Sequence, residues 1–222
     1  MKCVLLGGSG EVGRAVARAL VASDVCSKLT MIGRRSVDDL AGDEIEQVVT
    51  DTSADDFESV VERAARGHDV AISCIGTGSG TASMSEARLL EVEVVLMGKF
   101  ARGCKAAGIE IFELLTAVGV DVGSSRSRVK YVRVLGKKLD TVMGVGFEKL
   151  AVFKPGTIVG NQNTPRWVTP FTALIPDALG WGNIHQDDIA KAFVAHLEKV
   201  APTQTERVVS YQNREMKQLI GS

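Results

Sequence analysis

Three short groups of residues in this chain have the types and spacing that a binding site needs. In the first, Gly8, Gly10 and Gly13 read as G-x-G-x-x-G, while Gly7, Gly10 and Gly13 read as G-x-x-G-x-x-G. Glycines so spaced let the backbone take angles closed to other residues and approach a phosphate closely. A helix starting there adds unpaired N–H groups and a positive dipole end. The chemistry expected is a grip on a dinucleotide pyrophosphate. The second group is Arg34-Arg35, at the end of the apolar run Lys28 to Gly33. An NAD site usually carries Asp or Glu here to accept from the ribose hydroxyls, whereas guanidinium groups pair with a 2′-phosphate. The pair therefore favours NADP(H) over NAD(H), against the alternative of two solvated arginines. The third group is two later strand ends. Asp51-Thr52 is placed beside the adenine, with Asp51 equally suited to capping a following helix. Ile75-Gly76-Thr77 is placed near the second ribose or the nicotinamide, ahead of Gly78-Ser79-Gly80, a loop able to move on binding.

The elements that must hold these groups follow from periodicity. Cys3 to Leu6 is a buried-strand run, and Val12, Val16, Ala19 and Leu20 give a helical apolar stripe after the glycines. Strands are predicted at Lys28 to Gly33, Ile45 to Asp51, Asp69 to Gly76, Ile109 to Thr116 and Leu150 to Lys154. Helices are predicted at about 55–66, 85–107, 127–143 and 187–199. This βαβ rhythm predicts an α/β fold: a Rossmann-like, doubly wound parallel sheet with helices on both faces, forming one domain over residues 1–222. Four of the five prolines and both tryptophans fall between 154 and 183, so an irregular excursion at about 156–184, including Pro165, Trp167, Pro170, Phe171, Pro176 and Trp181, is expected to wall a small apolar substrate or to meet a partner.

Composition narrows the partners. With 45% hydrophobic and 24% charged residues and a net charge of −1, the chain is ordinary globular protein, unsuited to broad binding of nucleic acid or an acidic membrane surface. No apolar run approaches a bilayer span and no signal-peptide pattern precedes the first strand, so a cytoplasmic protein is expected. Cys3, Cys26, Cys74 and Cys104 are scattered without C-x-x-C spacing. They read as buried reduced thiols, and no metal site is expected. The cluster Arg126, Arg128, Lys130, Arg133, Lys137 and Lys138 reads as a solvated helix face.

Taken together, G-G-S-G-E-V-G-R, L-T-M-I-G-R-R, H-D-V-A-I-S-C-I-G-T and V-F-K-P-G resemble the atypical short-chain dehydrogenases of the Tat-interacting oxidoreductase type, over most of the chain. The resemblance implies NADPH as cofactor, with Ser9, Gly10, Glu11 and Val12 along the pyrophosphate, Arg34 and Arg35 on the 2′-phosphate, and Ile75 and Gly76 by the ribose. Pro155 and Gly156 are the strand end that the resemblance brings near the nicotinamide. Tyr131 fits the position of the proton-donating tyrosine, and Thr116 stands near the expected substrate-orienting hydroxyl. The lysine that follows four residues after the tyrosine is Leu135 here, so the Y-x-x-x-K pair is broken. Two readings follow from that break: an oxidoreductase acting on a small carbonyl or apolar acceptor, or a nucleotide-binding regulatory protein that meets a protein partner. The long helices 85–107 and 127–143 could pair across a homodimer.

Overall fold

Nine β-strands alternate with helices in a computed structural model that describes residues 1–77, 84–160 and 181–221. The strands are β1 (Lys2–Leu6), β2 (Lys28–Gly33), β3 (Ile45–Val49), β4 (Val70–Ser73), β5 (Ile111–Leu115), β6 (Lys149–Phe153), β7 (Thr157–Val159), β8 (Asn183–His185) and β9 (Val208–Tyr211). Seven of them form one all-parallel sheet in the order β3-β2-β1-β4-β5-β6-β9, and β7 pairs with β8 beside it. The helices are α1 (Glu11–Val21), α2 (Phe57–Ala65), α3 (Glu86–Leu90), α4 (Met97–Ala106), α5 (Lys130–Val145), α6 (Gln186–Ala195) and α7 (Asn213–Ile220). The single helix expected over 85–107 is α3 and α4 joined through a π-helical segment, Glu91–Leu96.

Strand alternation divides the core. Cys3 and Leu5 of β1 point to one face, where Val16 and Leu20 of α1, Phe193 of α6 and Met216 of α7 cover them. Val4 and Leu6 point to the other, beneath Phe57 of α2, Phe100 of α4 and Leu139 of α5. Because both faces are covered, the central strands are mostly apolar, as in β1 with four buried residues of five, and Thr30, Ser73 and Glu113 are buried polar exceptions in β2, β4 and β5. The order in which successive strands are laid down reverses between β1 and β4, with all strands still parallel, and the loops leaving their carboxyl ends diverge there. In open parallel sheets that divergence is the crevice where ligands bind.

Sequence and structure differ in instructive places. Cys3, Cys74 and Cys104 are buried thiols, but Cys26 is only half-buried. A hydrogen bond with the Cys3 thiol holds its pKa down to about 7, against the opposing effect of burial. The basic run around α5 is not a uniform solvated face. Arg133 clamps Glu86 through two hydrogen bonds of 3.1 and 2.8 Å, and Lys138 is 1% exposed. The loop Gly78-Ser79-Gly80 and residues Pro165, Trp167, Pro170, Phe171 and Pro176 of the expected excursion lie outside the described residues. Trp181 is described and is 54% exposed. Among the described residues, no helix is long and apolar enough to cross a membrane.

Candidate functional site

At the end of β1 the chain turns through Gly7, whose φ of +94° is left-handed. A side chain there would also strike the backbone of Cys74 and Ile75 at 2.8 Å, so the β1 turn and the β4 end touch backbone to backbone. Gly10 donates its N–H to the Gly7 carbonyl (3.0 Å) and serves as the N-cap of α1 with no side-chain cap. The first N–H groups of the helix, at Glu11 and Val12, have no intrahelical acceptor and follow directly on Gly10, which lines the crevice. Gly13 closes the packing, since a Cβ there would lie 2.1 Å from the Gly7 carbonyl oxygen. The turn is a cradle that only glycine permits, and a phosphate is the group whose oxygens suit such a set of converging donors.

From this turn a cleft of about 440 Å³ runs outward. Gly7, Ser9 and Gly10 line it at one end, Arg34 and Arg35 beyond β2, Asp51 and Thr52 beyond β3, and Ile75 and Gly76 beyond β4. These residues from four separate strand ends thus share one cavity, whereas the predicted Glu11, Val12, Gly13, Thr77, Thr116, Tyr131, Pro155 and Gly156 are not among the residues that line it. Both arginines are exposed, and among the described residues no carboxylate lies within ion-pair distance of either. Arg14, by contrast, is engaged by Asp39 at 3.3 Å. Asp51 lines the cleft but does not cap a helix: its Oδ1 accepts from Ser53 N (2.9 Å) and Oγ (2.6 Å) in a local turn, and the N-cap of α2 is Asp56. Those two bonds, with a smaller contribution from Arg34, hold its carboxyl below the usual range.

The far wall was not anticipated. Arg88, Glu91, Val92, Val95 and Lys99 reach the cleft from α3, the π-helical segment and α4. Lys99 donates to the Ala54 carbonyl at 2.9 Å, tying that wall to the loop after β3. Nothing in the apolar periodicity marks these residues, because they touch space rather than core.

Thr116, immediately after β5, is 9% exposed and its Oγ1 has no hydrogen-bond partner, one of three such buried side-chain atoms among the described residues. A buried hydroxyl left without a partner is costly, and a ligand oxygen is one way to satisfy it. Its backbone N–H donates to Phe153, which places Lys154 alongside. Lys154 is 6% exposed and its Nζ meets Asp121 Oδ1 at 2.5 Å. Pro155 and Gly156 are knitted into the fold, the first accepting from Val118 N–H and the second donating to Asn213 Oδ1, both at 2.9 Å. Tyr131, the second residue of α5, is 38% exposed. Desolvation of its hydroxyl, with a smaller effect of the Glu93 charge, pushes its pKa up to about 12. Leu135 is 2% exposed within the apolar core, so no cation occupies the position one turn later.

A cation arrives from elsewhere. Lys138 Nζ donates to the Ile75 carbonyl at 2.8 Å and to Glu93 Oε2 at 3.0 Å. The other oxygen of Glu93 accepts from Thr77 N–H at 3.0 Å. Thr77 itself does not line the cleft but is held by its backbone just beyond it. By helix periodicity Lys138 lies on the face of Tyr131 but two turns along the axis, about 10 Å of Cα rise. That distance counts Cα rise alone, whereas a helical side chain leans toward the helix N-terminus and lysine has a four-carbon stem.

The sheet, the glycine cradle and the crevice at the point of divergence together define a Rossmann-like protein, the class of fold that binds dinucleotides at such a crevice. Its fold matches a short-chain dehydrogenase/reductase from Veillonella parvula in complex with NADP at a TM-score of 0.64, with 11% identity, covering 94% of this chain and 93% of that one. No protein-family model matches the chain. Among curated proteins it is 32% identical over 186 residues to Protein HTATIP2 of Rattus norvegicus, covering 80% of this chain and 73% of that protein. It is 28% identical over 203 residues to the mitochondrial protein fmp52 of Aspergillus niger, covering 86% and 84%. The chain belongs to the HTATIP2 family.

Proposed function

We propose that this protein binds NADP(H) in the cleft and uses it to reduce a small carbonyl or related acceptor. The observation that carries the reading is the pair Arg34 and Arg35, two guanidinium groups at the end of β2 and beside the glycine cradle, with no carboxylate partner among the described residues. The N-terminus of α1 holds the pyrophosphate, and the arginines hold the 2′-phosphate. The bound coenzyme supplies the hydride. Thr116 Oγ1 orients the acceptor oxygen, and Tyr131 donates the proton. A phenol pushed up to about 12 carries its proton at neutral pH, as an ordinary tyrosine does, but it is the weaker acid of the two, so the shift slows donation rather than assisting it.

A second reading has its own observation. Leu135 leaves the tyrosine without the neighbouring ammonium that ordinarily activates it, and this favours a nucleotide sensor whose bound coenzyme shapes a surface for a protein partner or a second copy of the chain. Following NADPH fluorescence on binding, then its absorbance with a panel of carbonyls, separates the two. Turnover that disappears in Tyr131→Phe supports the enzyme, and tight binding without turnover supports the sensor. The cytoplasmic placement expected from the sequence is not carried into this proposal, because the fungal relative is named a mitochondrial protein.

The cofactor preference gives a sharper expectation. In the double variant R34A/R35A, loss of two charge-assisted contacts should weaken NADPH by roughly 100-fold or more while NADH changes by only about threefold. Calorimetric titration with both coenzymes reads this directly, and equal losses would remove the arginines from phosphate recognition.

A further inference from the structure

We propose that Lys138 and Glu93 are a positioning pair that fixes the loop Ile75–Thr77 for the nicotinamide half of the coenzyme, supplying from two turns up α5 the cation that Leu135 does not provide. The inference rests on the proposed binding of NADP(H) and deepens it. Three independent features meet at this pair.

The contacts grip both ends of one short loop. Lys138 holds the carbonyl of Ile75 and, through Glu93, the N–H of Thr77, with distances of 2.8, 3.0 and 3.0 Å along the chain of contacts. Between them sits Gly76, which lines the cleft and, among the described residues, has nothing within 4 Å of where a Cβ would stand. The loop is therefore tied down from behind and bare toward the cavity.

The helix that carries Glu93 is distorted. Glu93 lies in the π-helical segment Glu91–Leu96, where the wider turn shifts the faces of the helix. Glu91 and Val92 meet the cleft while Glu93 turns inward to 1% exposure. Such π-segments inside α-helices recur at functional sites.

The pair is also a poor choice for stability alone. Both side chains are 1% exposed, and desolvating two such ions offsets most of their attraction, so apolar residues of similar volume would hold the core as well. What an apolar pair cannot do is fix the direction of a carbonyl and an N–H at a loop that faces a ligand. The Glu93 charge also reaches Tyr131, which puts the pair in the same neighbourhood as the proposed proton donor.

The test uses the full chain and two ligands. NADPH reaches the nicotinamide end, whereas adenosine 2′,5′-bisphosphate occupies only the adenine and 2′-phosphate end. In the double variant K138M/E93L, which removes both charges together, the fragment should bind within about twofold of wild type. NADPH should bind roughly tenfold or more weakly, because the loop no longer fits its second half. Thermal melting of the same samples reports the fold. Should NADPH and the fragment weaken equally, or NADPH bind the variant as it binds wild type, the positioning role is overturned while the cofactor assignment stands. Wild type that binds neither ligand overturns both.

Discussion

Gly13→Ala is expected to abolish dinucleotide binding and to destabilise the fold, although it adds a single methyl group. The new Cβ would lie 2.1 Å from the carbonyl oxygen of Gly7, 2.7 Å from its carbonyl carbon and 3.1 Å from Gly8 Cα. All three are backbone atoms, so no side-chain rotation relieves the clash. The Gly7 carbonyl is also the acceptor for Gly10 N–H, and Gly7 already rests against Cys74 and Ile75, so moving the turn disturbs both strand ends of the crevice. The remaining escape is to lift α1 off β1, which separates Val16 and Leu20 from the core. Overpacking of this kind costs about 1–3 kcal/mol. Displacing the helix N-terminus by about 1 Å should cost at least 100-fold in coenzyme affinity, by analogy with misplaced groups in enzyme sites. Gly144→Ala in α5 is the matched control. Among the described residues nothing lies within 4 Å of that Cβ position, so the change should stabilise by about 0.5–1 kcal/mol through helix propensity alone. Equal melting temperatures and equal coenzyme affinities for the two variants would show that the glycine turn is not a packed cradle.

The contrast explains which parts of this molecule could be read from sequence. Gly13 was legible because glycine spacing reports a backbone constraint, and backbone constraints are local. Arg34 and Arg35 were legible for a related reason: their place at the end of an apolar run fixes their place at the end of a strand, and strand ends in such folds gather at one edge. Lys138 was not legible. In sequence it is the last of six basic residues within thirteen, and such a run ordinarily faces water. Its burial depends on Glu93, 45 residues earlier, and Glu93 points inward only because the helix there takes a π-turn. No 3.6-residue periodicity carries that information. Glu113 was hidden for the same reason. A lone glutamate in the run Ile111–Leu115 marks a strand with one polar interruption, and the partner that makes it tolerable lies 83 residues away. The fold's main framework is written in local pattern, but its buried charges are written in pairs that only tertiary structure brings together.

The Glu113 pair sets the other large effect. Glu113 sits in β5, in the middle of the sheet, with 0% exposure, and its Oε1 meets Nδ1 of His196 at 2.7 Å. The imidazole's Nε2 is held in turn by Gln204 Oε1 at 3.1 Å, while Glu113 Oε2 has no partner. Burial raises the carboxyl's pKa, and the hydrogen bond and charge of His196 oppose that rise. His196→Leu removes the opposition and leaves a buried carboxyl alone, which should cost about 3–5 kcal/mol near neutral pH. For a chain of this size that lowers the melting temperature by roughly 10 °C. The sign of the pH dependence follows from proton linkage. With the folded pKa above the unfolded value of about 4.3, the folded variant binds more protons than the unfolded chain between those two values, so stability falls as pH rises through that interval. His196→Leu should therefore lie nearer to wild type at about pH 5 than at about pH 8. The double variant E113L/H196L, with no buried carboxyl, should regain most of the loss and show no such pH slope. Denaturant titrations of the three proteins at both pH values measure this, and a loss in His196→Leu that is the same at both would mean the carboxyl is not the source of the cost.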